Sequence, residues 1–428
     1  MIDIKIIRED PQIVRENLKR RQNDTVLSLF DDLLEADALW RKEKADNDNL
    51  RKERNEVSMS IARLMKEGKK EEAEENKARA KEIAEKLKAQ EQKLDDIAEK
   101  RTLLQMRVPN ILEDDVPYGA SEEDNVEIKK WGEPKKTAMK ESHGEWLEDN
   151  NLADFERSTK ISGAGFYFMK SDLVLLNQAL LQYALQKLAK TGFCPIEVPY
   201  MMRTKPYEGV TDIHDFEDVM YKIEGEDLHL IATSEHPIAA MYMDEVLNGK
   251  ELPIKYAGLS MNFRKEIGSH GVDTRGLFRM HQFNKVEQFV FCRPEESKKI
   301  HEELLKNSEE IMQELGLPYH VVNICTGDIG IVASKKYDIE VWMPREQKYR
   351  EVTSCSNCTS YQAVRLNIKY DENGERNYIH TLNSTAIATS RVLRAILENY
   401  YNEDGTVSVP EVLQPFMMGK KVIGNAHK

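Results

Sequence analysis

Side chains that suit a helical seam recur at heptad-like intervals through residues 26–108, in two stretches separated by a polar turn. The first stretch places Leu33, Ala36, Trp40, Asn47, Leu50, Val57, Ile61 and Leu64 on one stripe. The second places Ile83, Leu87, Leu94, Ile97, Leu104 and Val108 on another. Between them, residues 65–76 combine Gly68 with a run of charges, so the chain can reverse there. The pattern predicts an antiparallel coiled-coil hairpin about 50 Å long.

The charges of this hairpin are compatible with two interpretations. Alternating charges are typical of a solvated coiled coil with no further role. A long, narrow helical pair is also suited to contact a large partner at a distance from the main body. Periodicity does not decide between them.

A second pattern begins after residues 107–125, where two prolines and an acidic segment mark a domain boundary. Helical segments such as 171–192 then alternate with short strand patterns at 228–233, 255–264, 284–292 and 337–344. Several of these strands lie too close in sequence for a helical crossover, so an antiparallel sheet flanked by helices is expected. The sequence thus predicts an N-terminal helical domain at 1–110 and an α+β domain at 111–428.

Composition narrows the functional classes. The chain has 428 residues, of which 40% are hydrophobic and 32% charged, and it is too long for one ordinary core. No apolar run fits a signal peptide or a membrane span of ~20 residues, and five cysteines do not form a disulfide framework, so we expect a cytoplasmic protein without a membrane partner. A formal charge of -13 argues against a protein that coats nucleic acid nonspecifically, and we expect no DNA partner, but it leaves room for a local basic face that reads one RNA.

Candidate chemistry gathers in residues 261–291, which have the pattern of a strand, a long loop and a returning strand. The first strand ends in Arg264, Lys265 and Glu266, and the returning strand brings Arg279, His281, Phe283 and Glu287. An antiparallel pair would place these cations, acids and an aromatic ring on one surface. Guanidinium groups suit phosphate oxygens and an aromatic face suits a nucleobase. A charged surface hairpin without a ligand is the alternative.

The chain has neither a P-loop nor a Rossmann glycine fingerprint, so a bound nucleotide would depend on arginines over an antiparallel sheet. Residues 263–266 (FRKE) resemble the F-R-x-E of motif 2 in class II aminoacyl-tRNA synthetases. Residues 191–199 resemble motif 1, whose proline would be Pro199 at a dimer interface, and residues 383–400 resemble motif 3 with Arg391. The helical hairpin, a T-x-E motif at 233–235 and the run at 351–365 resemble the seryl-tRNA synthetases in particular.

This resemblance implies an enzyme that activates L-serine with ATP and transfers serine to tRNA(Ser), with tRNA(Sec) as a second candidate. Arg264 would bridge the serine carboxylate and the α-phosphate, and Arg391 would hold the γ-phosphate together with Arg279. Phe283 would stack on adenine, and Glu266 would contact the adenine amino group. The other ATP-binding positions that the resemblance implies are Lys265, Met280, Glu351, Val352, Thr353 and Ser354.

For serine, the resemblance implies that Glu235 and the backbone near Thr233 and Ser234 receive the ammonium group. Glu287 and Thr385 would recognise the hydroxyl and exclude alanine, because their buried polar groups would otherwise stay unpaired. From the residues alone, Thr233 could instead cap a helix and Glu287 could be an ordinary salt-bridge partner.

Motif 3 departs from the common family pattern. Many members have NGSGLAVGR where this chain has NSTAIATSR, so Ser384, Ala386 and Ser390 replace three glycines. Their added side chains could narrow the approach of the backbone to ATP.

The run EVTSCSNCTSYQ at 351–362 contains a C-x-x-C spacing, Cys355 and Cys358. Zinc needs four ligands, and no second C-x-x-C or matching Cys/His pair occurs, so we predict no zinc site. A redox pair would be expected in a thioredoxin-like βαβ pattern, which is missing. The resemblance instead implies Mg²⁺ as counter-charge to phosphate, with Glu351 and Ser354 as oxygen ligands. We expect the cysteines to pack behind these oxygens.

The resemblance also implies a homodimer, in which the coiled-coil arm contacts the long variable arm and elbow of a tRNA held mainly by the other subunit. Candidate contacts on the hairpin are Arg51, Lys52, Arg54, Arg63, Lys77, Arg79 and Lys81. Two rival functions are a synthetase paralogue that loads a carrier protein and a coiled-coil interaction protein with an inactive catalytic domain. Such paralogues usually lack the arm, and the presence of Arg264, Glu266, Glu287 and Arg391 argues against an inactive domain.

Overall fold

The computed structural model describes residues 1–211, 218–265 and 276–425, and the chain divides into two compact units. The helical unit comprises Ile4–Lys19 and Asn23–Pro109. Its helices are α1 (Ile4–Glu9), α2 (Pro11–Lys19), α3 (Asp24–Lys66) and α4 (Lys70–Arg107). The Asn23 side chain caps α3 by accepting bonds from two backbone N–H groups, and Gly68, at φ 76°, turns the chain between α3 and α4.

Helices α3 and α4 pack as an antiparallel pair, which confirms the predicted hairpin. All of the predicted seam positions are buried or partly buried. Ion pairs join Arg51 to Glu91 at 2.8 Å and Glu53 to Arg79 at 2.7 Å, so rising numbers on one helix meet falling numbers on the other. The helices contain 43 and 38 residues and are longer than predicted, about 65 Å and 57 Å at ~1.5 Å per residue.

The second unit comprises Met1–Asp3, Arg20–Gln22 and Asn110–Lys428 and is built around one large sheet. Its strands are β1 (Val126–Trp131), β2 (Ala153–Asp154), β3 (Phe168–Met169), β4 (Cys194–Glu197), β5 (Met201–Met202), β6 (His229–Leu230), β7 (Val246–Asn248), β8 (Ile254–Phe263), β9 (Gln282–Cys292), β10 (Tyr319–Asn323), β11 (Lys335–Met343), β12 (Lys348–Thr359), β13 (Lys369–Glu372), β14 (Glu375–Tyr378), β15 (His380–Ala388), β16 (Val407–Ser408) and β17 (Val422–Ile423). Its α-helices are α5 (His143–Asp149), α6 (Phe155–Ser162), α7 (Asp172–Lys190), α8 (Thr204–Val210), α9 (Glu235–Ala240), α10 (Ser297–Glu314), α11 (Tyr361–Leu366) and α12 (Thr389–Asn399). Short 3₁₀ helices span Glu122–Asp124, Gly249–Glu251, Pro294–Glu296 and Glu411–Met417.

Within the described residues the main sheet has eight strands, in the order β1-β10-β11-β12-β15-β9-β8-β4. Neighbouring strands are antiparallel except β4 and β8, which run parallel at one edge. This confirms the predicted α+β class. Strands β8 and β9 pair from Ile254 opposite Phe291 to Phe263 opposite Gln282, so the two strands expected around the motif 2 segment lie side by side.

Successive side chains along β9 point to opposite faces of the sheet, so this strand contributes to two different environments. Val286 and Val290 point to one face and join the main core with α7, α10 and α12. Phe289 and Phe291 point to the other face, into a second apolar cluster with α8, α9 and α11. By the same periodicity, the odd-numbered residues near the start of β9 lie on this second face, where they line a cavity. None of the helices in the described part of the chain has the length and apolar content needed to span a bilayer.

Candidate active site

A cavity of about 580 Å³ lies over the centre of the sheet, with walls from β9, β12 and β15. Most residues predicted for the site line it: Thr233, Glu235, Arg264, Lys265, Arg279, Met280, Phe283, Glu287, Glu351, Val352, Ser354, Thr385 and Arg391. Positions far apart in the sequence therefore converge on one space. Glu266, the last residue of the F-R-x-E pattern, lies outside the described residues.

Two predicted residues are not part of the cavity wall. Ser234 is fully buried, and its hydroxyl donates to the Gly258 carbonyl on β8 at 3.1 Å. Thr353 is buried as well and does not line the cavity. Thr233 lines the cavity, and its hydroxyl accepts the Glu235 N–H at 3.3 Å at the start of α9.

Two carboxylates, the half-buried Glu235 and the fully buried Glu287, form an acidic part of the cavity. The Lys285 ammonium lies 2.5 Å from Glu287 Oε2 and donates to Thr233 Oγ1 at 3.1 Å. Gln362 on α11 donates to Glu235 Oε1 at 2.9 Å. Neither Lys285 nor Gln362 is among the predicted site residues. The spacing of Lys285 and Glu287 could have revealed the first, because alternate strand residues share a face.

The carboxyl groups of the acidic part have raised pKa values. Burial raises the pKa of Glu235 to about 7, and the neighbouring Glu287 adds to the shift. Burial also raises the pKa of Glu287, although the adjacent Lys285 opposes that effect. Lys285 and Arg264 both oppose these shifts but do not offset the burial of the carboxylates, so an incoming ammonium group would stabilise the ionised pair.

A second group of cavity residues is cationic. Arg264 donates through Nε to the Ala232 carbonyl at 3.2 Å, and its guanidinium lies 5.3 Å from the centre of the Phe283 ring. Arg391 donates to the Glu351 carbonyl at 2.9 Å and lies 3.1 Å from the Glu351 carboxylate. Together with Arg279 they bring three guanidinium groups to one cavity, an arrangement suited to phosphate oxygens.

A β-bulge brings Glu351 and Ser354 to the same face of β12. Residues three apart on a regular strand point to opposite faces. The register of β12 against β11 shifts by one residue at Val352. Because of this extra residue, the side chains of Glu351 and Ser354 point to the same face. The sequence gives no sign of this bulge.

These two side chains offer a carboxylate and a hydroxyl oxygen to the cavity. Arg391, Lys336 and Arg264 outweigh the effect of burial and lower the pKa of Glu351, so this carboxylate is ionised at neutral pH. An ionised oxygen donor beside a hydroxyl suits a hard divalent cation.

Asp338 on β11 pairs in register with Ser354 and adds a further oxygen beside them. Burial raises its pKa to about 7 despite Lys336, whose Nζ lies 3.0 Å from Oδ2, and Oδ1 has no hydrogen-bond partner among the described residues. In the described part of the chain, no three or more Cys, His, Asp or Glu side chains are grouped to hold a metal ion. A cation here would therefore need oxygens from phosphate or water as well.

Two of the three motif 3 substitutions point away from the cavity. The Ser384 hydroxyl lies 3.1 Å from that of Ser308 on α10, and Ala386 is fully buried in the main core. Ser390 lines the cavity. Any narrowing of the approach to ATP is therefore limited to Ser390.

The two cysteines of the C-x-x-C spacing have different surroundings. Cys355 is fully buried in the main core, behind the cavity face of β12 that carries Ser354, as expected. Cys358 was expected there too, but it lines the cavity, where Asn383 Nδ2 donates to its Sγ at 3.6 Å. Strand alternation is the reason, because residues 354, 356 and 358 share one face. Burial raises the pKa of both thiols and keeps them protonated.

Comparisons with known proteins agree with this geometry. Residues 218–400 match the family model of the tRNA synthetase class II core domain (G, H, P, S and T), and residues 1–112 match that of the seryl-tRNA synthetase N-terminal domain. A serine–tRNA ligase of Methanocella arvoryzae is 55% identical over 423 residues, which cover 98% of this chain and 99% of the relative. The chain belongs to the seryl-tRNA synthetase family.

Other seryl-tRNA synthetases agree in length and fold. A serine–tRNA ligase of Pyrococcus abyssi is 47% identical over 446 residues, with 99% of this chain and 98% of the relative covered. The crystal structure of the seryl-tRNA synthetase of Pyrococcus horikoshii complexed with ATP superposes with a TM-score of 0.92 at 44% identity, over 100% of both chains. That of the cytoplasmic serine–tRNA ligase of Naegleria fowleri in complex with AMP reaches 0.84 at 38% identity, over 97% of this chain and 96% of the other. The resemblance inferred from the motifs is thus confirmed.

Proposed function

We propose that this chain has serine–tRNA ligase activity: it activates L-serine with ATP and transfers the serine to the terminal ribose of tRNA(Ser). The observation that carries the proposal is one cavity that combines a carboxylate pair with three arginines. The first group suits the ammonium of a small amino acid, and the second suits a triphosphate. The names of the relatives and the ATP bound to the Pyrococcus horikoshii enzyme support the same activity.

Serine binds in the acidic part of the cavity. Glu235 and the backbone at Thr233 and Ser234 receive the ammonium group, whose charge stabilises the ionised form of Glu235. Glu287 and Thr385 lie opposite each other on β9 and β15 and take the side-chain hydroxyl. An alanine side chain would leave these buried polar groups unpaired, so it is rejected.

ATP binds along the cationic part, with adenine on Phe283 and the γ-phosphate at Arg279 and Arg391. A serine carboxylate oxygen then attacks the α-phosphorus, seryl-adenylate forms and pyrophosphate leaves. Arg264 contacts both reacting anions, which lowers their repulsion and aligns them. Lys265, Met280, Val352 and Glu266 complete the nucleotide contacts, the last of them at the adenine amino group, whereas the buried Thr353 is not one of them.

Glu351 and Ser354 are the side chains that would hold Mg²⁺. Their oxygens, and the ionised state of Glu351, fit a hard cation that takes its remaining ligands from phosphate and water. When bound, the cation supplies counter-charge for the phosphates. The chain's own residues orient serine and ATP, and its arginines contact the phosphates.

In the second step the terminal ribose hydroxyl of tRNA attacks the carbonyl carbon of seryl-adenylate, and AMP leaves. We assign residues 111–428 to catalysis and residues 1–110 to tRNA binding through the coiled-coil hairpin. Many hairpin cations are solvent-exposed, as RNA contacts require, although Arg51 and Arg79 pair with glutamates across the hairpin. A cytoplasmic homodimer is the proposed form, with tRNA(Sec) as a further candidate substrate.

Pyrophosphate exchange with each proteinogenic amino acid tests the first step. We expect exchange with serine and at least about 10⁴-fold less with alanine. Exchange that does not depend on serine would overturn the proposal. Charging of total tRNA then separates the ligase from a paralogue that loads a carrier protein, because only the ligase forms seryl-tRNA.

A further inference from the structure

A buried histidine holds the segment that enters β9 and carries part of the ATP cavity. His143 is the first residue of α5 and has no solvent exposure. Its Nε2 accepts the backbone N–H of Leu277 at 3.0 Å, although the two residues are 134 positions apart. Leu277 is also fully buried, so this bond is shielded from water.

The packing at this point leaves no space between the ring and the backbone. Gly276 adopts φ 140°, and a Cβ added there would lie 2.0 Å from His143 Nε2. The imidazole thus occupies the space that any other residue at 276 would need. The close approach and the hydrogen bond fix both the position and the direction of the chain at 276–277.

The residues that follow this point enter the cavity. Phe278, Arg279 and Met280 all line the cavity wall. The Phe278 ring lies 5.6 Å from the guanidinium of Arg391 and 4.9 Å from that of Arg394. Arg279 belongs to this segment and Arg391 packs against it, so the positions of two cavity arginines depend on the segment.

His143 acts as a neutral acceptor. Burial lowers its pKa to about 3, and Arg394 and Arg345 add to the shift. At neutral pH the Nε2 lone pair therefore faces the Leu277 N–H, and the ring proton is on Nδ1. Proton transfer by this histidine plays no part in its role.

We propose that His143 is a positioning residue for ATP: its bond to Leu277 sets where Phe278 and Arg279 stand in the cavity. This proposal rests on the ATP site proposed above. It predicts a selective effect, because Glu235 lies on α9 and Glu287 lies within β9, where pairing with β8 and β15 holds it. Loss of the bond should weaken ATP binding and leave serine binding unchanged.

The test compares H143L, which removes the acceptor, with H143Q, whose Oε1 reaches the same position as Nε2. Serine-dependent pyrophosphate exchange gives the KM for each substrate, and calorimetry gives the ATP dissociation constant independently of activity. We expect H143L to raise both ATP constants about tenfold with the serine KM unchanged, and H143Q to restore most of the difference. The pH profile of the ATP KM should be the same in wild type and H143Q.

H380L is the control, because His380 is a half-buried ring that hydrogen-bonds to Ser297 Oγ at 3.0 Å and lies outside the cavity. It should lower the melting temperature without changing the ATP constants. G276A keeps the histidine but pushes the chain from the ring, and it should reproduce the ATP-selective loss even if H143L fails to fold. Equal shifts of both KM values, or identical ATP constants in H143L and H143Q, would overturn the proposal. Absence of exchange in wild type would instead count against the proposed function.

Discussion

Serine affinity should depend on the protonation state of Glu235. Burial raises the pKa of this carboxyl to about 7, and an ammonium group needs the ionised form. If only that form binds serine, the apparent KM scales with 1 + 10^(pKa − pH), so it rises as the pH falls. Between about pH 8 and about pH 6 the ionised fraction falls from about nine-tenths to about one-tenth, which predicts a roughly tenfold rise in the serine KM.

Pyrophosphate exchange at saturating ATP, measured across this pH range, is the assay. The E235Q variant is the control, since its amide does not titrate and can still accept from an ammonium group. E235Q should bind serine more weakly than wild type but show no rise in KM between pH 8 and pH 6. A flat wild-type profile, or the same tenfold rise in E235Q, would refute the assignment of this titration to Glu235.

Three further changes test the serine pocket and the hairpin. K285M leaves Glu287 buried without its cation and should lower the free energy of unfolding by about 3–5 kcal/mol in urea titrations. The K285M/E287Q double variant should recover stability but not serine activation, and an unchanged stability of K285M would contradict a buried ion pair. T385V should lower kcat/KM for serine about 100-fold while T385S retains most of it, and equal losses would argue against hydroxyl recognition. Deletion of residues 41–100 should leave serine-dependent pyrophosphate exchange largely intact and abolish tRNA charging, whereas equal loss of both would count against a separable tRNA arm.

Periodicity was sufficient to predict the hairpin, because a seam of heptad positions can be satisfied only by a partner helix. It did not predict the helix lengths, which depend on local signals at the ends. Asn23 caps α3 and Gly68 breaks it, so the helices extend beyond the seam residues that define the pattern. The parallel pairing of β4 with β8 at the sheet edge could not be predicted from the sequence either, since it depends on long-range topology.

In the cavity, the order of the motifs identified most of the charged residues that line the wall. It missed the side chains that act on those residues, because Lys285 and Gln362 resemble ordinary strand and helix positions in the sequence. Their roles depend on distances to Glu287 and Glu235 that only the fold creates. The position of Cys358 on the cavity wall was missed for a related reason, since the face of β12 on which it lies depends on the pairing register.

The central claim is that serine activated by ATP is esterified to the end of tRNA. Its most direct test is to incubate the purified protein with tRNA, ATP and a mixture of all proteinogenic amino acids, and then to identify by mass spectrometry the aminoacyl ester released with the 3′-terminal nucleoside. We predict that seryl-adenosine is the dominant ester and that it is lost with R264A or with periodate-oxidised tRNA. A different amino acid on the terminal adenosine, or no ester at all from the wild-type protein, would contradict the claim.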